Sequence, residues 1–183
     1  YKDAMGEQIF HPAINITDDP KIIRGHGSRP WDGEGVANTK MGIVTDGVLN
    51  SWLLNTASAT QLGLPLTGHA HRDVGAPASV SASNAYIHAG DKSVDALLKD
   101  MGKGLIISEM FGASVNSNTG DYSVGIAGFA VENGERAGPV SEITVAGNLK
   151  DMFKSVIAAN DLVFDDGICA PSLLMPNMVI AGE

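Results

Sequence analysis

The chain has 183 residues, 12 basic and 21 acidic side chains for a net charge of -9, 44% hydrophobic residues and a mean hydropathy of +0.06. That length fits one domain of ordinary size, the composition is neither that of a disordered chain nor that of a membrane protein, and no apolar run approaches the roughly 20 residues that cross a bilayer. The acidic excess repels a phosphate backbone and disfavours nucleic-acid binding, while the single cysteine, Cys169, cannot form an internal disulfide and points to a reducing, cytoplasmic setting. Charged residues are only 18% of the chain, below the usual roughly 25%, so part of the surface is expected to be covered by another domain or subunit. The first residue is Tyr1 rather than methionine, which reads as a processed or truncated piece.

Residues Tyr1 to Gln8 read as the end of a helix whose earlier turns are missing, and Ala13 to Thr17 as a strand stopped by Asp18, Asp19 and Pro20. The segment GHGSRPWDGEG, Gly25 to Gly35, is a loop needing unusual backbone angles. Asp46-Gly47 closes a hairpin between Ile43–Thr45 and Val48–Leu53. Asn55 to Leu62 has the form of a short helix stopped by Gly63 and Pro65, and Asp73 to Ser83 is a connector rich in small residues. After a strand at Ala85 to His88, Ser93 caps a helix with Val94, Leu97, Leu98 and Met101 on one face and Gly102 at its end. Leu105 to Phe111 is an apolar strand, and Asn133-Gly134 joins strands Tyr122–Glu132 and Arg136–Ala146. Asn148 caps a further helix carrying Leu149, Met152, Phe153, Val156 and Ile157, and Ser172 to Ala181 is a last strand bent at Pro176. These elements give an α+β fold, mostly antiparallel and β-rich, with two or three helices.

Several groups could carry chemistry. His69-Ala70-His71 with Asp73 would place two imidazoles on one side of an extended strand, a weak zinc candidate against the plainer reading of solvated or hydrogen-bonded histidines. Cys169 has no histidine or aspartate signature beside it and reads as a buried thiol rather than a nucleophile. No P-loop or Gly-x-Ser-x-Gly elbow occurs, and Gly33-Glu34-Gly35 is too short for a dinucleotide fingerprint. The polar run from Ser114 to Asp121 suits either an elaborate turn or a peptide-binding rim.

The stretches VNSNTGDYSVGIAGFAVENGE (115–135), PVSEITVAGNLKDMF (139–153) and PSLLMPNMVIAG (171–182) closely resemble the TldD/PmbA family, once called modulators of DNA gyrase. DGEGVANTKMGIVTDGVLNSWLLNTASATQLG (32–63) and TGHAHR (67–72) agree in the same order. The resemblance implies that residues 1–183 are most of a C-terminal domain, with an N-terminal domain and the start of this one absent. In that family, TldD-type subunits hold zinc with an HExxxH helix and a later cysteine. PmbA-type (TldE) subunits lack the site and pair with a TldD subunit to degrade or trim unfolded peptides. The wording GFAVENGE and PVSEITVAGNLKDMF resembles the PmbA type, and Cys169 lies outside the Cys-Gly-Lys context of the TldD-type ligand.

The resemblance therefore implies a noncatalytic subunit of a cytoplasmic zinc metallopeptidase, with no catalytic residue and no cofactor of its own. Zinc is expected in a TldD-like paralogous partner, with a homodimer as the arrangement when the chain is alone. Substrate contacts are expected around Thr67, Gly68, Asn116, Thr119 and Asp121, and His69 and His71 are not expected to be ligands. Two alternatives stay open: a TldD-like catalytic subunit whose HExxxH lies upstream, and a protein-binding adaptor of the gyrase-modulator kind.

Overall fold

A computed structural model describes residues 3–182. Its elements in chain order are β1 (Ile16–Asp18), β2 (Met41–Thr45), β3 (Val48–Leu49), α1 (Thr56–Leu62), β4 (Ala70–His71), β5 (Ser79–Val80), β6 (Ala85–Ile87) and α2 (Val94–Met101). They continue with β7 (Gly104–Val115), β8 (Asp121–Glu132), β9 (Glu135–Asn148), α3 (Leu149–Ser155), β10 (Ile157–Ala158), β11 (Ile168–Cys169), β12 (Leu173–Leu174) and β13 (Val179–Ala181). The fold is α+β with mainly antiparallel pairing, as the hairpin signals require. No helix among the described residues is long and apolar enough to cross a membrane. The chain gathers into two compact units, the first of Tyr1–Gln8, Pro12–Ala89 and Leu162–Pro171, the second of Ile9–His11, Gly90–Asp161 and Ser172–Glu183.

The first unit is built on a five-stranded sheet in the order β11-β6-β1-β2-β3, antiparallel except for the β11–β6 pair. Asp46 and Gly47 both take positive φ, 49° and 79°, as a two-residue turn matched to strand twist requires. Ile14, Val44, Leu49 and Leu54 are buried in this unit. In α1 the Asn55 side chain accepts from the Ser58 N–H at 2.9 Å while the Asn55 N–H donates to Ser58 Oγ at 3.0 Å, a reciprocal cap that ties off two donors the helix leaves unpaired.

The second unit is dominated by the long sheet β13-β9-β8-β7, antiparallel throughout. Its core is Val124, Ile126, Ile143 and Val145, with Leu105, Tyr122 and Val140 packed against it. Each such aliphatic side chain stabilises by about 1.5–3 kcal/mol on leaving water. Asn133 (φ 53°) and Gly134 (φ 78°) close the β8–β9 turn. Only glycine suits the second position, because a Cβ there would also lie 2.8 Å from Lys99 Cα. Ser93 Oγ accepts from the Ala96 N–H at 3.2 Å to start α2, which buries Leu97. Asn148 Oδ1 accepts from the Lys150 N–H at 3.1 Å to start α3, which buries Met152.

Four expectations are corrected. Asp3 to Gln8 is not helical: Gly6 takes φ 83° and its N–H donates to Leu49 O, so the backbone bonds go to β3 rather than along a helix axis; Tyr1 and Lys2 lie outside the described residues. The connector 73–83 contains β5, which pairs with β4. Ile157 leaves the face of α3 and is 38% exposed in β10, because Val156 already has extended angles. Residues 172–181 form two strands rather than one bent strand: β12 pairs with β10 and β13 with β9, separated by a turn in which Asn177 has φ 60°.

Candidate functional site

The candidate residues divide between the two units. In the first, the segment Thr67 to His71 is held by buried polar groups, and its histidines are hydrogen-bonded as the plainer sequence reading has them. Asp18 is fully buried and accepts from the Ser83 N–H at 2.7 Å, while its other carboxylate oxygen lies 3.0 Å from His69 Nε2. His69, 1% exposed, has its second ring nitrogen 3.0 Å from Thr67 Oγ1, and that hydroxyl accepts from the Leu54 N–H at 2.7 Å. Gly68 follows with φ 73°, and a Cβ there would lie 3.0 Å from Ala37 O and 3.1 Å from Asn38 Oδ1. The turn at Thr67-Gly68 therefore needs glycine and is fixed from both sides.

The glycine-rich loop before it is organised by two carboxylates. One Asp32 oxygen accepts from the Glu34 and Val36 N–H groups, both at 2.9 Å, and the other accepts from the Ala70 N–H at 2.9 Å. Burial pulls this carboxyl upward, but the Ala70, Val36 and Glu34 N–H donors and the Arg29 charge outweigh it and hold Asp32 below the usual carboxylate range. Glu34 accepts from both the hydroxyl and the N–H of Thr56, at 2.7 and 2.8 Å, at the start of α1, and these bonds hold its carboxyl low as well.

His69 and His71 do not face a common point. His69 lies just before β4 and turns inward to Asp18, whereas His71 stands outward, 3.2 Å from Asp73. The shared face of alternate strand residues is not formed because β4 is only two residues long and the chain enters it through the Gly68 turn. Cys169 is buried, with its thiol 3.2 Å from Asp166 O. These residues do not fit zinc: both His69 nitrogens are engaged, His71 is turned away, and among the described residues no three metal-ligating side chains converge.

In the second unit the structure brings Asn116, Thr119 and Asp121 together at the β7–β8 turn. Asn116 Oδ1 accepts from the N–H groups of Asn118 and Thr119, at 3.0 and 3.3 Å. Asp121 accepts from the Thr119 hydroxyl at 2.7 Å and from Asn148 Nδ2 at 3.1 Å. The Thr119 hydroxyl and Asn148 hold the Asp121 carboxyl below its usual range, with the Lys150 charge adding to them. Much of the polar run is thus spent on shaping the turn, and Asn148 joins it to the start of α3. Beside the turn is a shallow groove of about 370 Å³ lined by Ser114, Asn116, Asp121, Tyr122, Ser123, Ala146 and Gly147.

The groove lies next to β7, an edge strand with β8 on one side. Its apolar side chains are open, Met110 being 61% exposed and Phe111 56%. Register shifts at 107–109 and 111–114 interrupt the strand and leave Glu109 to Phe111 as a regular stretch between them. Such an edge can accept an extended chain while the irregularities limit long, indiscriminate pairing.

Asp18, Asp32 and Glu34 were not singled out by sequence. Asp18-Asp19-Pro20 has the composition of a turn, and nothing local shows that the first carboxylate is buried. The Asp32-Gly-Glu-Gly spacing did carry a signal, since an aspartate followed by glycine commonly accepts from the N–H two residues on.

The family described as the PmbA/TldA metallopeptidase C-terminal domain matches residues 1–182. The chain is 43% identical over 182 residues to the metalloprotease PmbA of Escherichia coli O157:H7, covering 99% of this chain and 38% of that protein. It is 38% identical to the metalloprotease PmbA homolog of Haemophilus influenzae, covering 99% of this chain and 39% of that one. Among solved structures, a Thermotoga maritima protein proposed to modulate DNA gyrase superposes with a TM-score of 0.86 at 35% identity, over 98% of this chain and 41% of that one. TldE from Thermococcus kodakarensis shares the fold, with a TM-score of 0.87 at 22% identity, over 98% of this chain and 42% of that one. The chain spans about two fifths of the length of these relatives.

Proposed function

Because this chain belongs to the PmbA/TldD metallopeptidase family, whose C-terminal domain it represents, we propose that it is part of a noncatalytic, PmbA/TldE-like subunit of a cytoplasmic zinc metallopeptidase. The subunit encloses the active site of a TldD-like paralogue and admits only unfolded chains. The observation that carries this reading is the likeness to PmbA-named relatives over 99% of this chain, and the histidine pair adds no metal site to it, since His69 is committed to Asp18 and Thr67. The 43% identity to a PmbA-named relative supports the subunit type. Zinc, bound by the partner, supplies Lewis-acid chemistry and an activated water.

This chain's own part is binding and orientation. Backbone groups on the free edge of β7 pair with an extended substrate, and exposed Met110 and Phe111 contact its side chains. The groove at Ser114, Asn116 and Ser123 takes the segment leaving that edge. Half-buried Thr67 makes a further contact in the first unit, while buried Gly68, against Ala37 and Asn38, shapes the turn that presents it. A folded protein has most of its backbone already paired, whereas an unfolded chain offers unpaired groups along its whole length, so selectivity for unfolded peptides follows from backbone pairing rather than from sequence readout.

The test is reconstitution. The full-length protein, alone and mixed with a TldD-like paralogue, is incubated with an unfolded casein. Hydrolysis is expected only in the mixture, with the two chains co-eluting at physiological salt. Co-elution without hydrolysis would favour the adaptor reading suggested by the gyrase-modulator name of the Thermotoga protein, and hydrolysis by the protein alone would favour a catalytic subunit.

A further inference from the structure

Asp18, His69 and Thr67 form a buried chain of hydrogen-bonding groups that ends on both backbone polar atoms of Leu54. Asp18 is fully buried, with one oxygen on the Ser83 N–H at 2.7 Å and the other 3.0 Å from His69 Nε2. An ionised carboxylate only accepts, so Nε2 carries a proton whenever Asp18 is charged. His69 Nδ1 lies 3.0 Å from Thr67 Oγ1, and there the roles are open. Thr67 Oγ1 accepts the Leu54 N–H at 2.7 Å, and the Leu54 carbonyl oxygen is also within reach at 3.2 Å. The hydroxyl proton thus has two acceptors, His69 Nδ1 and Leu54 O.

We infer that the Thr67 hydroxyl follows the proton on His69, turning between Nδ1 and the Leu54 carbonyl, and makes this buried cluster a proton-responsive switch that stays hydrogen-bonded in both states. When Nδ1 is bare, the hydroxyl donates to it. When a proton arrives on Nδ1, that N–H donates to Thr67 Oγ1, and the hydroxyl turns to Leu54 O. Neither arrangement orphans a polar atom of the cluster, because Leu54 O also accepts the His69 backbone N–H at 3.4 Å, and this lowers the cost of changing the charge of an interior group. A hydroxyl oxygen accepts two hydrogen bonds. In the bare state one of these positions is unfilled, and in the protonated state the Leu54 N–H and the His69 Nδ1–H fill both. Where Thr67 contacts substrate, a consequence resting on the function proposed above, it offers an acceptor to a peptide N–H only while His69 is neutral.

The other charged groups around the cluster are turned to other partners. Asp32 accepts the Ala70 N–H, and Arg29 donates to Ser81 O, while the Ser81 N–H donates to His69 O. His71 faces Asp73, Asp19 pairs with Lys40, and His88 lies on Thr17. Asp18 is the carboxyl group in direct contact with the His69 ring.

Ring-nitrogen spectra of ¹⁵N-histidine and the carbonyl and amide signals of Leu54 are followed as pH is varied, in the full-length protein and without peptide. Their outcome is therefore separate from that of the hydrolysis assay. Leu54 is expected to move with the same midpoint as the His69 ring in the wild type and in Thr67→Ser, which keeps the hydroxyl. In Thr67→Val at least half of the Leu54 movement is lost. A Leu54 signal that stays still while the ring titrates, or moves equally in Thr67→Val, overturns the inference. So does an Nδ1 signal that is constant over the whole folded range. Where Thr67→Val does not fold, Thr67→Ala, which also lacks the hydroxyl, is read in its place with the same expected and overturning results.

Discussion

Replacing Asp18 by alanine is the most severe single test of how the first unit is held. The substitution removes the acceptor for the Ser83 N–H, at 2.7 Å, and for His69 Nε2, at 3.0 Å, in a position with no solvent to replace it. Each buried donor left without a partner costs about 1–3 kcal/mol. With two such donors, the Ser83 N–H and His69 Nε2, Asp18→Ala is expected to cost about 2–6 kcal/mol. That is a large share of a typical total of about 5–15 kcal/mol. Asp18→Asn keeps an oxygen for Ser83 but presents an N–H₂ to His69, forcing the ring to change its protonated nitrogen, and should cost less, about 1–3 kcal/mol. Equilibrium urea unfolding followed by tryptophan fluorescence reads both values from the midpoint at constant slope. A loss below about 0.5 kcal/mol for Asp18→Ala, the range of ordinary surface substitutions, would refute the assignment of Asp18 and His69 as a structural cross-link.

Asp32 is held below the usual carboxylate range in the folded chain, so its contribution is full above the ordinary aspartate pKa and is lost as pH falls through the lower folded value. Asp32→Asn should therefore flatten the acid side of the stability profile, and a profile parallel to the wild type at low pH would contradict this. Gly134→Ala puts a Cβ 2.8 Å from Lys99 Cα at φ 78°, and thermal unfolding should show a loss of about 1–3 kcal/mol; no loss would mean that the β8–β9 turn tolerates side chains. On the free edge of β7, Phe111→Asp should weaken binding of a fluorescent unfolded peptide roughly tenfold, about 1.4 kcal/mol, while Val179→Asp on the opposite edge leaves it within about twofold. Equal effects at the two edges would remove β7 as the binding strand.

Much of the architecture was readable because the signals were local. Asp46-Gly47 and Asn133-Gly134 form the turns expected of them, with both residues of each at positive φ, and Asn55, Ser93 and Asn148 start their helices through side-chain acceptors. What escaped depended on distant partners. The N-terminal segment gives its backbone bonds to β3, and 172–181 divides because its halves find different neighbours, β10 and β9. The candidate site was legible in part. Asn116, Thr119 and Asp121 do come together, because a polar run between two strands has to satisfy its own backbone. His69 was read from its spacing to His71, but its partner Asp18 lies 51 residues earlier and leaves no periodic trace.

The measurement that bears most directly on the proposed role is metal analysis of the full-length protein purified without a paralogue, by mass spectrometry after dialysis. The account predicts far less than one zinc per chain, and zinc near one per pair once the TldD-like chain is added. About one zinc per chain in the protein alone, retained through dialysis, would contradict it.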